Sequence, residues 1–235
     1  MSEALAQMLQ EVSPHNAPSV VRDTIQKIIL LGLWRAKFFE KGLCTGDTAL
    51  RHAHGIDLFC ERMTFSTLKP SPNFKTAPYL RGIKTELNSY GCDVVFAPTM
   101  IVTSPRGEQI HSPMKLETQP QFRFETSAKL LLQPIPFSIK SSSIADLLLM
   151  TIHKVLQEGK ARDWYELAWL VRKNASIPSE KVEQRFSMDG TKVKEALLGK
   201  VEHCDLQELK ALNPNMAESW SSVLLHEAVN RIAFI

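Results

Sequence analysis

Apolar positions recur at helical spacing in three long stretches of the chain and at strand spacing in several short ones. In VVRDTIQKIILLGLWRAKFF (20–39), Val20, Ile25, Ile28, Ile29, Leu31 and Leu33 share a wide face, which predicts a helix with Ser19 as its cap. Gly42 and Gly46 bracket Leu43-Cys44-Thr45, a short strand ending in a turn, and Thr48 to Ala53 reads as the start of a helix. Phe59 to Phe65 alternates as a strand does, then gives way to a loop at Pro70 and Pro72. Residues 78–89 (PYLRGIKTELNS) predict a second helix, broken at Tyr90-Gly91. CDVVFAP and TMIVTS are rich in β-branched residues and read as strands, and KLETQPQFRFE alternates again. The two prolines of LLLQPIPFSIK favour a sheet edge or a loop over a central strand, because proline cannot donate to the ladder.

From Ser143 the period changes. IADLLLMTIHKVLQ is a strongly apolar helix with Ser143 at its N-cap. ARDWYELAWLVRK follows Gly159 as another and stops near Asn174, and 180–235 reads as three more. Residues 1–16 predict a loosely attached helix. Strands mixed with helices, then helices alone, indicate an α+β lobe over 1–140 and a helical lobe over 141–235.

Composition narrows the class without naming a function. With 235 residues, 44% hydrophobic and 23% charged, the chain is an ordinary globular protein with no run of about 18 apolar residues. MSEALAQMLQEV is not patterned as a signal peptide, and Cys44, Cys60, Cys92 and Cys204 form no C-x-x-C pair. The expectation is a cytoplasmic protein with no membrane partner and no zinc site. A net charge of +3 is too weak to indicate nucleic acid by itself.

The chemistry concentrates in residues 46–65, GDTALRHAHGIDLFCERMTF. Together with KTELNSYGCDVVF, LETQPQFRFETSAKLLLQPIPFSI and GKARDWYEL, in that order, this segment resembles the AbiEii/AbiGii-type nucleotidyltransferase toxins of toxin–antitoxin and phage-defence systems. The likeness covers about residues 25 to 230. It implies a nucleotidyltransferase-like fold: a small mixed sheet flanked by helices, a C-terminal helical lobe and a cleft between. Family chemistry uses two Mg²⁺ ions to stabilise charge on a nucleoside triphosphate, held by a D-x-D pair on one strand and a third acid on a neighbour.

This chain departs from that pattern at several positions. The Gly-Gly turn that would meet the triphosphate is Gly46-Asp47, which brings a carboxylate towards the phosphates. Thr48, Ala49, Leu50 and Arg51 match the helix that follows. The metal-binding strand reads Leu58-Phe59-Cys60-Glu61-Arg62-Met63-Thr64-Phe65, so Arg62 and Thr64 stand where the two acids belong. Glu117 aligns with the third acid, Thr151-Ile152-His153 replaces Lys-x-His, and Arg162-Asp163-Trp164-Tyr165-Glu166 retains the family's R-D-W-Y-D. The resemblance implies nucleotide-binding roles for Gly46, Asp47, Thr48, Lys160 and Arg162, with Glu117 and Asp163 as the remaining catalytic candidates.

Two readings follow. In the first, the chain keeps the fold, has little or no transferase activity, needs no cofactor, and binds or regulates through a nucleotide, RNA or an antitoxin-like partner. In the second, it is an active transferase that uses Mg²⁺ and an NTP to modify tRNA or protein through a rearranged site of Glu117, Asp57 and Glu61. Asp57 and Glu61 would lie about 13 Å apart along a regular strand, too far for one ion. A purely structural subunit is a third alternative. Arg162 and Asp163 either meet a nucleotide or are a surface Arg beside a helix-start acid. The basic run Lys154, Lys160, Arg162, Arg172 and Lys173 either attracts RNA or is a solvated face. His52 and His54, two apart on a helix, are expected on different sides, and Cys60 as a buried apolar residue.

Overall fold

A computed structural model describes residues 17–97, 99–105, 107–118, 125–132, 135–212 and 220–235. The expected helix over 1–16 lies outside them. The chain divides into two compact units, one ending at Ser142 and one beginning at Ser143.

The first unit is built on α1 (Ala17–Arg35), which starts before Ser19 and ends short of the predicted Phe39. Lys37 adopts a left-handed conformation (φ 61°), and a 3₁₀ turn, Phe38–Glu40, folds back to feed β1 (Gly42–Thr45). Beyond β1 come a one-turn helix, Gly46–Thr48, and a π-type turn, Ala49–Ala53. Then follow β2 (Met63–Thr67), α2 (Ala77–Ser89), β3 (Asp93–Val95), β4 (Ile101–Thr103) and β5 (Gln109–His111). β6 (Met114–Glu117), β7 (Glu125–Leu132) and β8 (Ile135–Ser142) complete it.

Five strands form one mixed sheet in the order β6-β2-β1-β8-β7, and β3-β4-β5 form an antiparallel meander. β1 runs antiparallel to β2 and parallel to β8, and β2 runs parallel to β6. One sheet face buries Met63 and Phe65, where Phe38 meets Phe65 edge-on at 5.5 Å and Tyr79 at 5.3 Å. Ile25, Ile28, Ile29, Leu30 and Leu31 of α1 are almost fully buried. α1 crosses α2 closely at a pair of glycines, since a Cβ on Gly82 would come within 2.8 Å of Ala36 Cβ and 3.0 Å of Gly32 O.

The placement of β8 corrects the reading for Pro136, while Pro134 lies outside the described residues. β8 is an internal strand, between β1 and β7. It tolerates Pro136 because its pairing with β1 is at Cys44↔Ser141, at the far end, while Pro136 sits by the hairpin opposite Leu131. The β7–β8 hairpin therefore overhangs β1, and the missing N–H falls where the ladder to β1 is already spent.

The second unit contains α3 (Ile144–Gln157), α4 (Ala161–Val171), α5 (Ser179–Phe186), α6 (Gly190–Val201), α7 (Leu206–Leu212) and α8 (Ser222–Asn230). Among the described residues, four helices thus occupy the stretch where three were expected. Asp189 and Ser221 mark two of the starts, each accepting a hydrogen bond from the backbone three residues on. A two-stranded parallel ladder, Ser176–Ile177 with Ala233–Phe234, is an addition to the helical lobe. Ser143 caps α3, accepting from Asp146 N–H at 3.2 Å.

Candidate functional site

One end of the large sheet carries the residues singled out by the motif. There β1 ends at Thr45, paired with Thr64 near the start of β2, and Thr64 is paired in turn with Lys115 of β6. Adjacent strands lie about 4.8 Å apart, so the Gly46 turn, Thr64 and Lys115 fall within roughly 10 Å. Gly46 takes a left-handed conformation (φ 47°), which lets the chain leave β1 and double back over the sheet. A Cβ there would stand 3.0 Å from Thr64 Oγ1.

Thr64 is tied into the backbone around it. Its hydroxyl donates to Thr45 O at 2.5 Å, and its N–H donates to the buried hydroxyl of Thr48 at 2.6 Å. This pair of bonds holds the Gly46–Thr48 turn against β2 and spends the Thr64 hydroxyl proton on a main-chain carbonyl. Arg62, immediately before β2, is exposed. Parallel partners share a face, so Thr64, Ser66, Lys115 and Glu117 lie opposite the buried Met63 and Phe65. Glu117 pairs with Ser66, two residues further along, and is exposed.

The loop between the π-type turn and β2 is held by polar anchors. Arg51 makes an ion pair with Asp23 at 2.6 Å and another with Asp57 at 3.3 Å, and also donates to Ile56 O. Asp57 is therefore engaged with Arg51, and residues 57–61 are irregular rather than a strand. His52 is buried and bonds Gln26 Oε1 at 2.9 Å, while Gln26 Nε2 donates to Cys60 O at 2.7 Å. Burial lowers the His52 pKa to about 4, outweighing the opposing pull of Asp23. The ring is thus neutral at pH 7, with Nε2–H the donor. His54 lies elsewhere, against Ser142 O at 2.9 Å, and Cys60 is buried.

In the second unit the retained motif forms a charge network at the start of α4. Glu166, wholly buried, accepts from Lys154 Nζ and from Arg162 Nε, each at 3.1 Å. Asp163 accepts from the Lys160 N–H at 3.3 Å, and Lys154 Nζ lies 4.0 Å from its carboxylate. Burial raises the Asp163 pKa, while Lys154 and the Lys160 N–H act against the rise. Lys160 pairs with Glu158 at 2.5 Å, and Lys173 sits 4.5 Å from the Trp169 ring. The cations Lys154, Lys160 and Arg162 of the basic run are each paired with a carboxylate.

These donors do not fit a pair of Mg²⁺ ions. The hard ion needs carboxylate oxygens, and the two strand positions offer a guanidinium and a hydroxyl already committed to Thr45 O. Beside Thr64, the neighbouring strand presents the ammonium of Lys115. Among the described residues, no group of three His, Cys, Asp or Glu side chains is placed to hold a metal. Lys115 is the residue that sequence reasoning missed. Its signal was available in the parity of KLE, where Lys115 and Glu117 share a face, but only the register says which of them meets Thr64.

No family model matches the chain, and no curated protein does. Solved structures match its fold. JHP933 from Helicobacter pylori aligns with a TM-score of 0.54 at 13% identity, over 94% of this chain and 92% of that one. MenT4, a nucleotidyltransferase toxin from Mycobacterium tuberculosis H37Rv, aligns with a TM-score of 0.55 at 13% identity, over 84% of this chain and 69% of that one. The chain is a nucleotidyltransferase-fold protein, α+β with a mixed sheet flanked by helices. That fold is shared with a nucleotidyltransferase toxin. Among the described residues no helix is long and apolar enough to cross a membrane.

Proposed function

We propose that the protein is a diverged, AbiEii-like member of the nucleotidyltransferase-fold toxins that has lost two-metal catalysis and acts by binding or regulation. One observation carries the reading: the strand position of the second metal acid is filled by Thr64, whose hydroxyl is bonded to Thr45 O, with Lys115 at its side. A cation beside that position repels Mg²⁺, and a threonine bonded into the backbone cannot offer the charge a carboxylate would. Asp47 in the preceding turn adds a negative charge where triphosphate would approach. The role belongs with toxin–antitoxin or phage-defence systems, in the cytoplasm, with an antitoxin-like protein, a nucleotide or tRNA as partner.

Incubation of the protein with each labelled nucleoside triphosphate, Mg²⁺ and total tRNA tests this. No label should pass to RNA or to protein. Mg²⁺-dependent transfer that disappears in Glu117→Ala would overturn the proposal and establish an active, rearranged transferase.

A further inference from the structure

β8 runs on past the strand that pairs with it on one side. Its pairing with β1 is at Cys44↔Ser141, whereas its pairing with β7 extends back to Ile135. The segment that would prolong β1 along it turns away instead: α1 ends at Arg35, Lys37 is left-handed (φ 61°), and Phe38–Glu40 form the 3₁₀ turn. Among the described residues, Ile135 to Ile139 therefore have no strand on that side. A cavity of about 610 Å³ lies there, bordered by Ser138, Ile139 and Lys140 on one side and by the end of α1 and the 3₁₀ turn on the other. Side chains of a strand alternate between its faces, so a cavity over one face meets every second residue. Bordering three in a row puts this one along the edge. Pro136 fixes which groups that edge presents. It has no N–H to give β7, so it belongs to the set turned away from β7, and Ser138 has the same parity. The Ser138 N–H and C=O are thus turned to the cavity.

The opposite wall is aromatic and basic. Trp34, 40% exposed and 6.2 Å from the Phe137 ring, stands beside Arg35 and Lys37, with Glu40 the one acid among the described lining residues. Arg35 is held by the buried Glu86 at 3.0 Å. Lys37 meets Glu40 only at 4.0 Å with both side chains largely exposed, a pair worth little in water. Phe137 and Ile139 are buried on the α1 face of β8, so Lys140 lies on the other face. A strand laid along this edge would send alternate side chains to the two faces, and acidic ones would find Lys37 on one and Lys140 on the other. Two copies of this chain would set those cations against one another, and Pro136 shortens the ladder they could share, as in edges protected from like partners. A single exposed ring and an acid in the wall suit a peptide better than single-stranded RNA, whose bases need successive stacking rings.

We propose that the open edge of β8 is a docking site for an extended, acidic segment of a partner protein, which adds as a strand beside Ser138 and packs against Trp34 and Lys37. The inference goes beyond the transferase reading and does not depend on it, since the edge lies by the start of β1 and the Gly46 turn by its end. Fluorescence anisotropy of the full chain with short, capped and labelled peptides tests it. One peptide alternates valine and glutamate, a second alternates valine and lysine, and a third is the acidic peptide N-methylated throughout, which cannot pair as a strand. The first should bind saturably and at least tenfold more tightly than the other two. At saturation, hydrogen exchange should slow at the Ser138 amide and stay unchanged at Thr48. Lys37→Glu should weaken binding at least fivefold, and Lys37→Arg should preserve it. Ser138→Pro removes the outward N–H without touching the ladder to β7 and should abolish binding. Lys37 is exposed, so its variants should melt as the wild type does and decide the question even where Ser138→Pro fails to fold. No binding of the acidic peptide, equal binding of the basic or methylated one, or no protection at Ser138 would overturn the site. Tighter binding of oligouridylate in competition would assign the edge to RNA, and dimers that the acidic peptide leaves intact would assign it to a second copy; either result overturns the proposal.

Discussion

His52 shows how one buried side chain links stability to pH. Its pKa stands near 4 in the folded chain against about 6.5 when unfolded, because burial penalises the charged ring. Between those values the unfolded state binds the proton and the folded state does not, so stability falls as pH drops from about 6.5 towards 4. It is level above that window. The full loss is on the order of 3 kcal/mol, from about 1.4 kcal/mol for each pKa unit. Urea denaturation at pH 7.5 and pH 4.5 should show this loss in the wild type and much less of it in His52→Gln, which keeps an N–H for Gln26. An equal slope in the variant would place the titration elsewhere. Sequence reasoning put His52 and His54 on different sides, as observed, because helical parity needs no partner to be known. It could not find Gln26, which lies 26 residues earlier and meets His52 only through the packing of α1. Thr64 illustrates the same division. Its identity as a non-acid was plain in the chain, but its bonds to Thr45 and Thr48 exist only because β1 and β2 pair in this register.

Among the elements, the helices followed from their apolar period, and the strands less securely. α2 and α3 lie close to the segments that the pattern marked, since an amphipathic face is a local property. Phe59 to Phe65 alternates, yet only Met63–Thr67 is strand, because the preceding residues are drawn off the sheet by Arg51 and Gln26. β8 was misplaced for a related reason. Whether a proline lies on an edge depends on how far the neighbouring strand extends, and β1 stops before reaching it. The α1–α2 crossing makes its own demand, because Gly32 and Gly82 bring the two backbones together. Gly82→Val should force the helices apart and cost about 2 kcal/mol, in the range of overpacked cores. Thermal melting checks it, and a variant as stable as the wild type would show that the crossing yields without cost.

At the scale of the whole molecule, the first unit brings Thr45, Gly46, Thr64 and Lys115 together from three strands, and this grouping decides what the site can do. Replacing Arg62 and Thr64 by aspartate would restore the two acids of the motif yet leave Lys115 beside them. The double variant Arg62→Asp/Thr64→Asp should therefore remain inactive in Mg²⁺-dependent transfer of labelled nucleotide. Activity in that variant would mean that Lys115 is no obstacle and that the loss was confined to two positions. The retained Arg162-Asp163-Trp164-Tyr165-Glu166 has a different lesson, since Glu166 is buried under Lys154 and Arg162 and the charges satisfy one another. The sequence by itself determined most of the helices, the change from mixed to helical structure near Ser143 and the replacement of the metal acids, because periodicity and residue identity are carried locally along the chain; it did not mark the fourth helix after residue 178 or the ladder of Ser176–Ile177 with Ala233–Phe234. Only the tertiary structure decided that Lys115, not Glu117, stands beside Thr64. A shift of two residues in the pairing of β2 with β6 would reverse that choice while leaving every local pattern unchanged.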